Sequence, residues 1–175
     1  MRDSYGDIYY EALEDLLKEE KDKFESLIGK EILDILAYTD DECTEWYQPI
    51  IFVIENINLL IEVYDLEKLV IKWNTSVEHI YYTDKVKWGN KNKEFKRLVN
   101  SKITRIDIIE FCRNWKAVYS KLNTNEFDDQ IYTRDLIGIG FHTETGYIEI
   151  CNTIDEAEIS FDYIERNDLK RYIIK

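Results

Sequence analysis

The first half of the chain changes from a helical to a strand-like spacing of hydrophobic residues at Gly29. Residues 7–28 carry apolar side chains every three or four positions, which predicts an amphipathic helix packed on a core. Ser4 and Asp7 resemble a capping box for its start. Gly29 is the residue type that most often adopts the left-handed conformation after a helix, so we expect the helix to end there.

After Gly29, short apolar segments separated by polar ones predict strands at 31–38, 50–55, 59–64 and 69–73. Every residue from Ile50 to Ile54 is apolar, which favours a central strand that is covered on both faces. Asn56, Ile57 and Asn58 predict the turn of a hairpin, because asparagine tolerates positive φ.

The second half repeats the order of elements found in the first half, which indicates a weak internal repeat. At a constant offset of 71 residues, five apolar positions match, namely Phe24, Leu27, Ile28, Ile32 and Ile35 with Phe95, Leu98, Val99, Ile103 and Ile106. Asn100 then takes the place of Gly29, and later strands are predicted at 135–143, 147–151 and 158–162, after an insertion between Asn114 and Arg134. The sequence therefore predicts one α+β domain over 1–175, with an N-terminal helix, antiparallel β-meanders and pseudo-repeats at 7–74 and 90–162. The tail from Asp168 to Lys175 fits either an edge strand or a short helix.

Charge narrows the classes of partner. There are 36 acidic and 23 basic residues, a net charge of −13, which disfavours binding to nucleic acid or to an anionic membrane. The window 85–105 holds eight bases and one acid, or +7, so the rest of the chain must carry −20 to reach −13. Because Trp88 and Phe95 lie among these bases, the window is the only candidate for nucleic-acid binding.

Other features of the composition predict a cytoplasmic bacterial protein. The N-terminal segment carries acids where a signal peptide would be apolar, and no apolar run approaches the length of a membrane span. Three cysteines, an odd number without a close pair, favour a reducing compartment over a disulfide framework. The abundance of isoleucine fits an AT-rich bacterial genome.

No motif for a catalytic site, a metal or a cofactor is present. His79 and His142 are the only histidines, and neither has the spacing of a zinc site. Gly138 and Gly140 lie inside a strand pattern, which predicts a bulge or a close backbone contact rather than a phosphate loop. Cys151 is expected to be a small hydrophobic residue of a strand.

Two alternatives to a binding protein remain open. A small enzyme or ligand-binding domain would place Glu62, Glu149 and His142 together in a pocket between the two sheet units. An oligomeric structural protein would instead bury an apolar patch around Trp73 and Phe161 against a second copy.

Acidic segments that contain aromatic residues favour a protein-binding surface. One segment has the partner-binding candidates Asp40, Asp41, Glu42, Glu45, Trp46 and Tyr47, and a second has Asp128 and Asp129. A third acidic segment, 155–158, is expected to form a turn. Aromatic residues anchor protein interfaces, and acids around them select a basic partner.

Acidic loops at 40–47 and 126–132 on a small, cysteine-poor scaffold resemble the immunity proteins of bacterial polymorphic-toxin systems. The resemblance lies in composition and character. It implies an acidic inhibitor that binds over the active site of a basic toxin domain. On that basis the residues of 40–47 are the first expected contacts, and Asp128 and Asp129 are the second.

Overall fold

Two helices and eleven strands make up the part of the chain that the computed structural model describes, residues 9–39, 47–64, 68–76, 87–89, 92–114, 132–153 and 156–175. The helices are α1 (Leu13–Glu25) and α2 (Lys93–Leu98). The strands are β1 (Tyr9–Tyr10), β2 (Glu31–Thr39), β3 (Tyr47–Ile54), β4 (Ile57–Tyr64), β5 (Lys68–Trp73), β6 (Lys87–Gly89), β7 (Ser101–Asn114), β8 (Tyr132–Thr143), β9 (Tyr147–Thr153), β10 (Glu156–Ser160) and β11 (Leu169–Ile174).

The described strands form one sheet in which neighbouring strands are antiparallel. Their order is β1-β5-β4-β3-β2-β7-β8-β9-β10, while β6 pairs with β2 and β11 pairs with β7. Short connections between successive strands account for the antiparallel pairing of β3 with β4, β4 with β5, β8 with β9 and β9 with β10. The expected combination of an N-terminal helix with antiparallel meanders is therefore confirmed.

One hydrophobic core receives side chains from both halves of the sheet and from both helices. Phe52 on β3 and Phe141 on β8 meet in it, with ring centroids 4.6 Å apart. Alternation along each strand sends every second side chain to this core, on what we call the inner face, and the remaining side chains to the outer face. In β3 both faces are buried, since Ile50, Ile51 and Phe52 are all inaccessible to solvent, which confirms the predicted central strand.

The two halves join where β2 meets β7, through a reciprocal pair of backbone hydrogen bonds. The Gly29 N–H donates to the carbonyl of Ile103 at 2.8 Å, and the Asn100 N–H donates to the carbonyl of Ile32 at 2.8 Å. Gly29 and Asn100 have φ values of +83° and +60°, as the residue types at these positions predict. Each residue lies shortly after a helix and directs the chain into the first strand of its half.

The first helix is shorter than its hydrophobic pattern predicts. It starts at Leu13, with Ala12 at the N-cap position. Ser4 and Asp7, the predicted capping box, lie outside the described residues. The preceding Tyr9 and Tyr10 are buried in β1, paired with β5. Packing of two large side chains at the sheet edge outweighs the weak helical preference of this segment.

The structure differs in detail from the predictions made for three short segments. The hairpin between β3 and β4 turns at Glu55 and Asn56, with φ of +46° at Glu55, and Ile57 already belongs to β4. The acidic segment expected as a turn contributes instead to β10, which begins at Glu156. The tail is an edge strand, β11, which pairs with β7. Within the described residues, neither helix has the length and apolar character required to cross a membrane.

Candidate functional site

Most of the residues expected to contact a partner lie outside the described part of the chain. These are Asp40, Asp41, Glu42, Glu45, Trp46, Asp128 and Asp129. Tyr47 is the first residue of β3, where its backbone pairs with that of Tyr38.

A buried carboxylate on the outer face of β7 organises the largest polar cluster in the described residues. Asp107 is completely inaccessible to solvent. Arg105, two residues earlier and thus on the same face, donates from Nε to Oδ1 at 2.6 Å and from Nη2 to Oδ2 at 2.7 Å. Such a two-point contact between guanidinium and carboxylate is strong and directional, so it fixes both side chains.

Neighbouring strands add a histidine and a second arginine to this carboxylate. His142 on β8 lies opposite Arg105, and its Nε2 is 3.0 Å from Oδ2 of Asp107. Arg171 on β11 places Nη1 3.9 Å from the same oxygen and 2.6 Å from Oε2 of Glu149 on β9. Two arginines and two carboxylates therefore neutralise one another inside a single cluster.

Gly140 makes room for the aromatic part of the cluster. Tyr147 lies across it from β9, and a Cβ atom on residue 140 would come within 2.3 Å of the tyrosine hydroxyl. That hydroxyl donates to Glu149 and accepts a hydrogen bond from Nη1 of Arg171 at 2.8 Å. The contact at this glycine is with a side chain. The predicted close backbone contact occurs at Gly138, where a Cβ atom would come within 2.2 Å of the Ile150 carbonyl oxygen.

The connection between β10 and β11, residues 161–168, crosses the cluster, and we call it the strap. The ring of its Tyr163 lies over the guanidinium groups of Arg105 and Arg171, with centroids 5.2 and 4.8 Å away. The Tyr163 ring also contacts those of His142 and Tyr147. Cation–π and aromatic contacts of this kind hold the strap onto the outer face.

The protonation states in the cluster follow from burial and from the neighbouring charges. Burial lowers the pKa of His142, and the hydrogen bond to Asp107 offsets only part of that effect. Burial and the neighbouring Glu149 raise the pKa of Tyr147, so its hydroxyl stays protonated. The charged groups are already paired with one another, and no group of ligating side chains among the described residues is arranged for a metal.

Cys151 does not form a nucleophilic pair with His142. Cys151 lies opposite Gly138 on β8, whereas His142 lies opposite Tyr147, four residues further along each strand. Burial raises the pKa of the Cys151 thiol well above its usual range. The thiol therefore remains protonated and packs with Ile109 and Ile137, which agrees with the hydrophobic role expected for it.

The alternative pocket is only partly assembled. His142 and Glu149 share the outer face of the second half and are linked through Asp107 and Arg171. Glu62 lies on the outer face of β4, because its neighbours Ile61 and Val63 both point into the common core. The shared core therefore separates Glu62 from Glu149, and the expected convergence between the two units does not occur.

The apolar patch expected at Trp73 and Phe161 is used within the chain. The Trp73 ring packs on Phe24 of α1 with centroids 5.5 Å apart, and Phe161 packs on Phe95 of α2 at 5.6 Å. Both side chains are only partly exposed and lie against the core. Each ring is therefore covered mainly by contacts within the chain.

The basic window is also partly neutralised by acids nearby. Arg105 binds Asp107, and Arg97 on α2 forms an ion pair with Glu94 at 3.3 Å. Lys93 and Lys96 on the same helix are exposed. Lys85 and Lys91 lie outside the described residues.

Sequence reasoning missed Asp107, Arg105, Arg171, Tyr147 and Tyr163. A signal for the first two was present, since an arginine and an aspartate two residues apart share one face of a strand that is otherwise rich in isoleucine. Tyr147 and Glu149 show the same spacing on β9. No local signal placed Arg171 and Tyr163 beside them, because their strand and strap approach from the C-terminal end of the chain.

A second site that the sequence did not reveal is the buried carboxylate of Glu20 on α1. It accepts hydrogen bonds from the Tyr10 hydroxyl at 2.8 Å, from Nε1 of Trp73 at 2.6 Å and from Nζ of Lys23 at 3.0 Å. Its donors come from β1, β5 and the helix itself. This arrangement ties the helix to the sheet edge.

One small groove opens beside the cluster, under the strap, with a volume of about 90 Å³. Apolar side chains from β8, β9 and β11 line its floor, and acidic side chains from β9, β10 and the strap line its rim.

The chain matches no protein-family model, no curated protein and no solved structure.

Proposed function

We propose that the protein is a non-catalytic binding module that recognises a basic protein partner through acidic surface segments carrying exposed apolar anchors. One observation carries the proposal. On the strap, Ile164 is 57% exposed and Tyr163 is 39% exposed, and the acids Asp162 and Glu165 flank them directly. Exposed aromatic and aliphatic anchors surrounded by charges of one sign are typical of an interface that selects its partner electrostatically.

The charge of the whole chain supports the same partner class. The segment 155–168 holds six acids and one base, which places a strongly negative stretch around the strap. A cationic protein would be attracted over distances approaching the Debye length, about 8 Å at physiological salt. The acidic segment 40–47 belongs to the same proposal and would add Trp46 and Tyr47 as anchors.

The polar cluster around Asp107 supports binding rather than chemistry. Its two arginines, its two carboxylates and the Tyr147 hydroxyl are engaged with one another. A catalytic acid or base needs a free proton position within reach of a substrate, and a nucleophile needs activation. The cluster instead holds Tyr163 and the strap in place, which is a task for a binding surface.

We extend the proposal to the class that the composition resembles, the immunity proteins of bacterial polymorphic-toxin systems, acting in the cytoplasm. The partner would then be a basic toxin domain whose active site the acidic segments cover. Support comes from the net charge of −13 and from the free thiols of Cys112 and Cys151, which suit a reducing compartment.

We also propose that the two halves are repeats of one helix–meander unit. In support, the reciprocal hydrogen bonds of Gly29 and Asn100 interchange when each residue number is moved by 71. The ring pair Phe24–Trp73 corresponds to Phe95–Phe161, at centroid distances of 5.5 and 5.6 Å and similar tilts. The second unit alone carries the polar cluster and the strap, so this part of the binding surface would have arisen after duplication.

Charge reversal at the first predicted contacts tests the binding proposal. Wild-type chain and a variant with Asp40→Lys, Asp41→Lys and Glu42→Lys would be used to isolate a partner from native lysate. Association rates with the purified partner would then be measured over a range of salt concentrations. We expect a basic partner whose association slows by roughly tenfold or more at low salt in the variant, with a flatter salt dependence.

A matched control variant shows whether the association rate depends on the position of the acids or only on the net charge. Asp22→Lys, Glu25→Lys and Glu55→Lys change the charge by the same amount at exposed sites on α1 and in the β3–β4 turn. This variant should retain most of the association rate. The proposal fails if the partner is not basic, or if the two triple variants associate equally fast.

A further inference from the structure

The groove under the strap has an apolar floor formed by Ile137, Cys151 and Leu169. Ile137 and Cys151 belong to a small buried cluster on the outer face, against which Leu169 packs. Gly138 lets Cys151 lie close to the sheet, since a Cβ atom there would come within 2.6 Å of its sulfur. With its thiol protonated, Cys151 behaves as an apolar surface.

The rim of the groove carries three acids and Arg166, and two of the acids make no hydrogen bond or ion pair with another described residue. Glu149, Glu158 and Asp162 line it. Glu149 is bound to Arg171. Among the hydrogen bonds and ion pairs between described residues, none involves the carboxylate of Glu158 or Asp162, and both residues are exposed. The open end of the groove is therefore negative while its floor is apolar.

The groove is held open before any ligand arrives. Ser160 accepts a hydrogen bond from the backbone N–H of Asp162, and Nη2 of Arg171 donates to the carbonyl of Ile164 at 3.3 Å. At the far end of the strap, the Cys112 N–H on β7 donates to the carbonyl of Asp168 at 2.7 Å. A site fixed in this way loses little conformational entropy when it binds.

We infer that this groove takes a lysine or arginine side chain of the basic partner. The inference rests on the proposed function and names the chemistry recognised at the strap. The aliphatic stem of the side chain lies on Ile137, Cys151 and Leu169, which removes its methylene groups from water. The cationic head reaches Glu158 and Asp162 at the rim.

Other occupants fit the groove less well. A purely apolar side chain would leave the two carboxylates without a counter-ion, and an anion would be repelled by them. A metal ion needs several ligating groups in one shell, and the described residues contain no such group. A long organic cation satisfies both the floor and the rim.

Substitution of Arg166 should strengthen the binding of a cationic ligand to the groove. It lines the groove and forms an exposed ion pair with Asp168, in which Nη2 lies 2.6 Å from Oδ2. Exposed pairs of this kind contribute little to stability, so Arg166→Gln should fold normally. Removing its positive charge makes the groove more negative, and a cationic ligand should then bind about twofold more tightly.

The test is an NMR titration of the full isotope-labelled chain with an acetylated and amidated Gly-Lys-Gly peptide. We expect saturable shifts confined to the amides of residues 149–151, 158–166 and 169. The matching peptides with norleucine or acetyl-lysine in place of lysine should bind at least roughly fivefold more weakly. Glu158→Gln combined with Asp162→Asn should weaken the lysine peptide by a similar factor, whereas Glu165→Gln, an exposed strap acid away from the groove, should not.

Several results would overturn the inference. These are shifts spread over the whole surface, equal binding of the norleucine peptide, equal weakening by Glu165→Gln, and weaker binding by Arg166→Gln. Free 1,4-diaminobutane binding more tightly than the lysine peptide would point to a small amine instead of a protein side chain and would overturn it too.

The outcome also separates this inference from the proposed function. If the partner depends on 40–42 but not on Glu158 and Asp162, the binding module stands and the groove assignment fails. If the lysine peptide binds in the groove while no basic partner exists, the groove assignment stands and the proposed function fails.

Discussion

The outer faces of the two halves have the same strand order but differ in the side chains at their centres. In the first half, the centre of this face is apolar, and Ile51, Leu60 and Val70 are buried to within 1% of full burial. In the second half, the corresponding centre holds Asp107, which is equally buried, together with Glu149. Each outer face points away from the core that the two halves share.

The difference shows how each face is stabilised. Apolar burial is roughly proportional to area and depends little on exact geometry, so neighbouring side chains tolerate changes in one another. A buried carboxylate is stable only while its partners remain in position, because an unpaired charge in the interior is costly. The outer face of the second half therefore requires a more exact geometry than that of the first half. The same paired groups hold Tyr163 and the strap in position.

Removing the charge of Asp107 should have the largest effect. We expect Asp107→Asn to lower the free energy of unfolding by about 3–5 kcal/mol, since Arg105 and Arg171 lose a buried counter-ion. Chemical denaturation would measure it. Asp162→Asn, the same change at an exposed position, should stay within about 0.5 kcal/mol. A loss below about 1 kcal/mol for Asp107→Asn would mean that the cluster is not the organising element of this face.

Truncating the apolar counterpart should be somewhat less costly. Leu60→Ala is expected to destabilise by about 2–5 kcal/mol through lost burial and a residual cavity. Because no titratable group is removed, the loss should be the same at pH 5.5 and pH 8. A loss that varied strongly with pH would contradict the apolar account of the first half.

The pH dependence of stability should be centred on the second half. Burial lowers the pKa of His142 in the folded chain, so below its ordinary value of 6.5 the unfolded chain binds a proton that the folded chain resists. Stability contributed by neutral His142 is thus present above pH 6.5 and is lost as the pH falls. The slope should be at most about 1.4 kcal/mol per pH unit.

A comparison of His142→Gln with the wild type isolates this contribution. Denaturation at pH 5.5, 6.5 and 7.5 should show that the free energy of unfolding depends less steeply on pH in the variant. His79 is present in both proteins, so its contribution cancels in the comparison. An identical slope in the two proteins would assign the pH dependence to other groups.

The smallest expected effect is a gain in stability. Glu110 on β7 is 5% exposed, and burial raises its pKa, with Glu14 adding to the effect and Arg134 and Lys170 opposing it. A raised pKa means that ionisation disfavours the folded state at neutral pH. Glu110→Gln should therefore stabilise by roughly 0.5–2 kcal/mol at pH 7. This gain should disappear as the pH falls through the folded-state pKa, and Glu165→Gln should show no gain.

Local patterns were sufficient for most elements. The turn-forming residues Gly29 and Asn100 mark both junctions, and the apolar run Ile50–Ile54 marks the central strand. The start of α1 was wrong because Tyr9 and Tyr10 gain more from burial at the sheet edge than from continuing a helix. The turn before β4 was wrong by two residues, since pairing of Ile54 with Ile57 sets the register.

The candidate site was far less accessible to sequence reasoning. His142 and Glu149 were singled out, but their expected companion Glu62 lies across the core on another outer face. The actual companions, Asp107 and Arg171, belong to strands that flank them only in the folded sheet. Alternation assigns a residue to a face of its own strand, whereas the pairing order of distant strands decides which faces meet.

Taken alone, the amino-acid sequence determined the class of fold and the surplus of negative charge, because periodicity and net charge are local or additive properties. Only the tertiary structure decided that an interior aspartate would join two arginines, a histidine and two tyrosines beneath a C-terminal strap. That assembly depends on β11 returning to pair with β7, and long-range pairing of this kind has no signature in either segment alone.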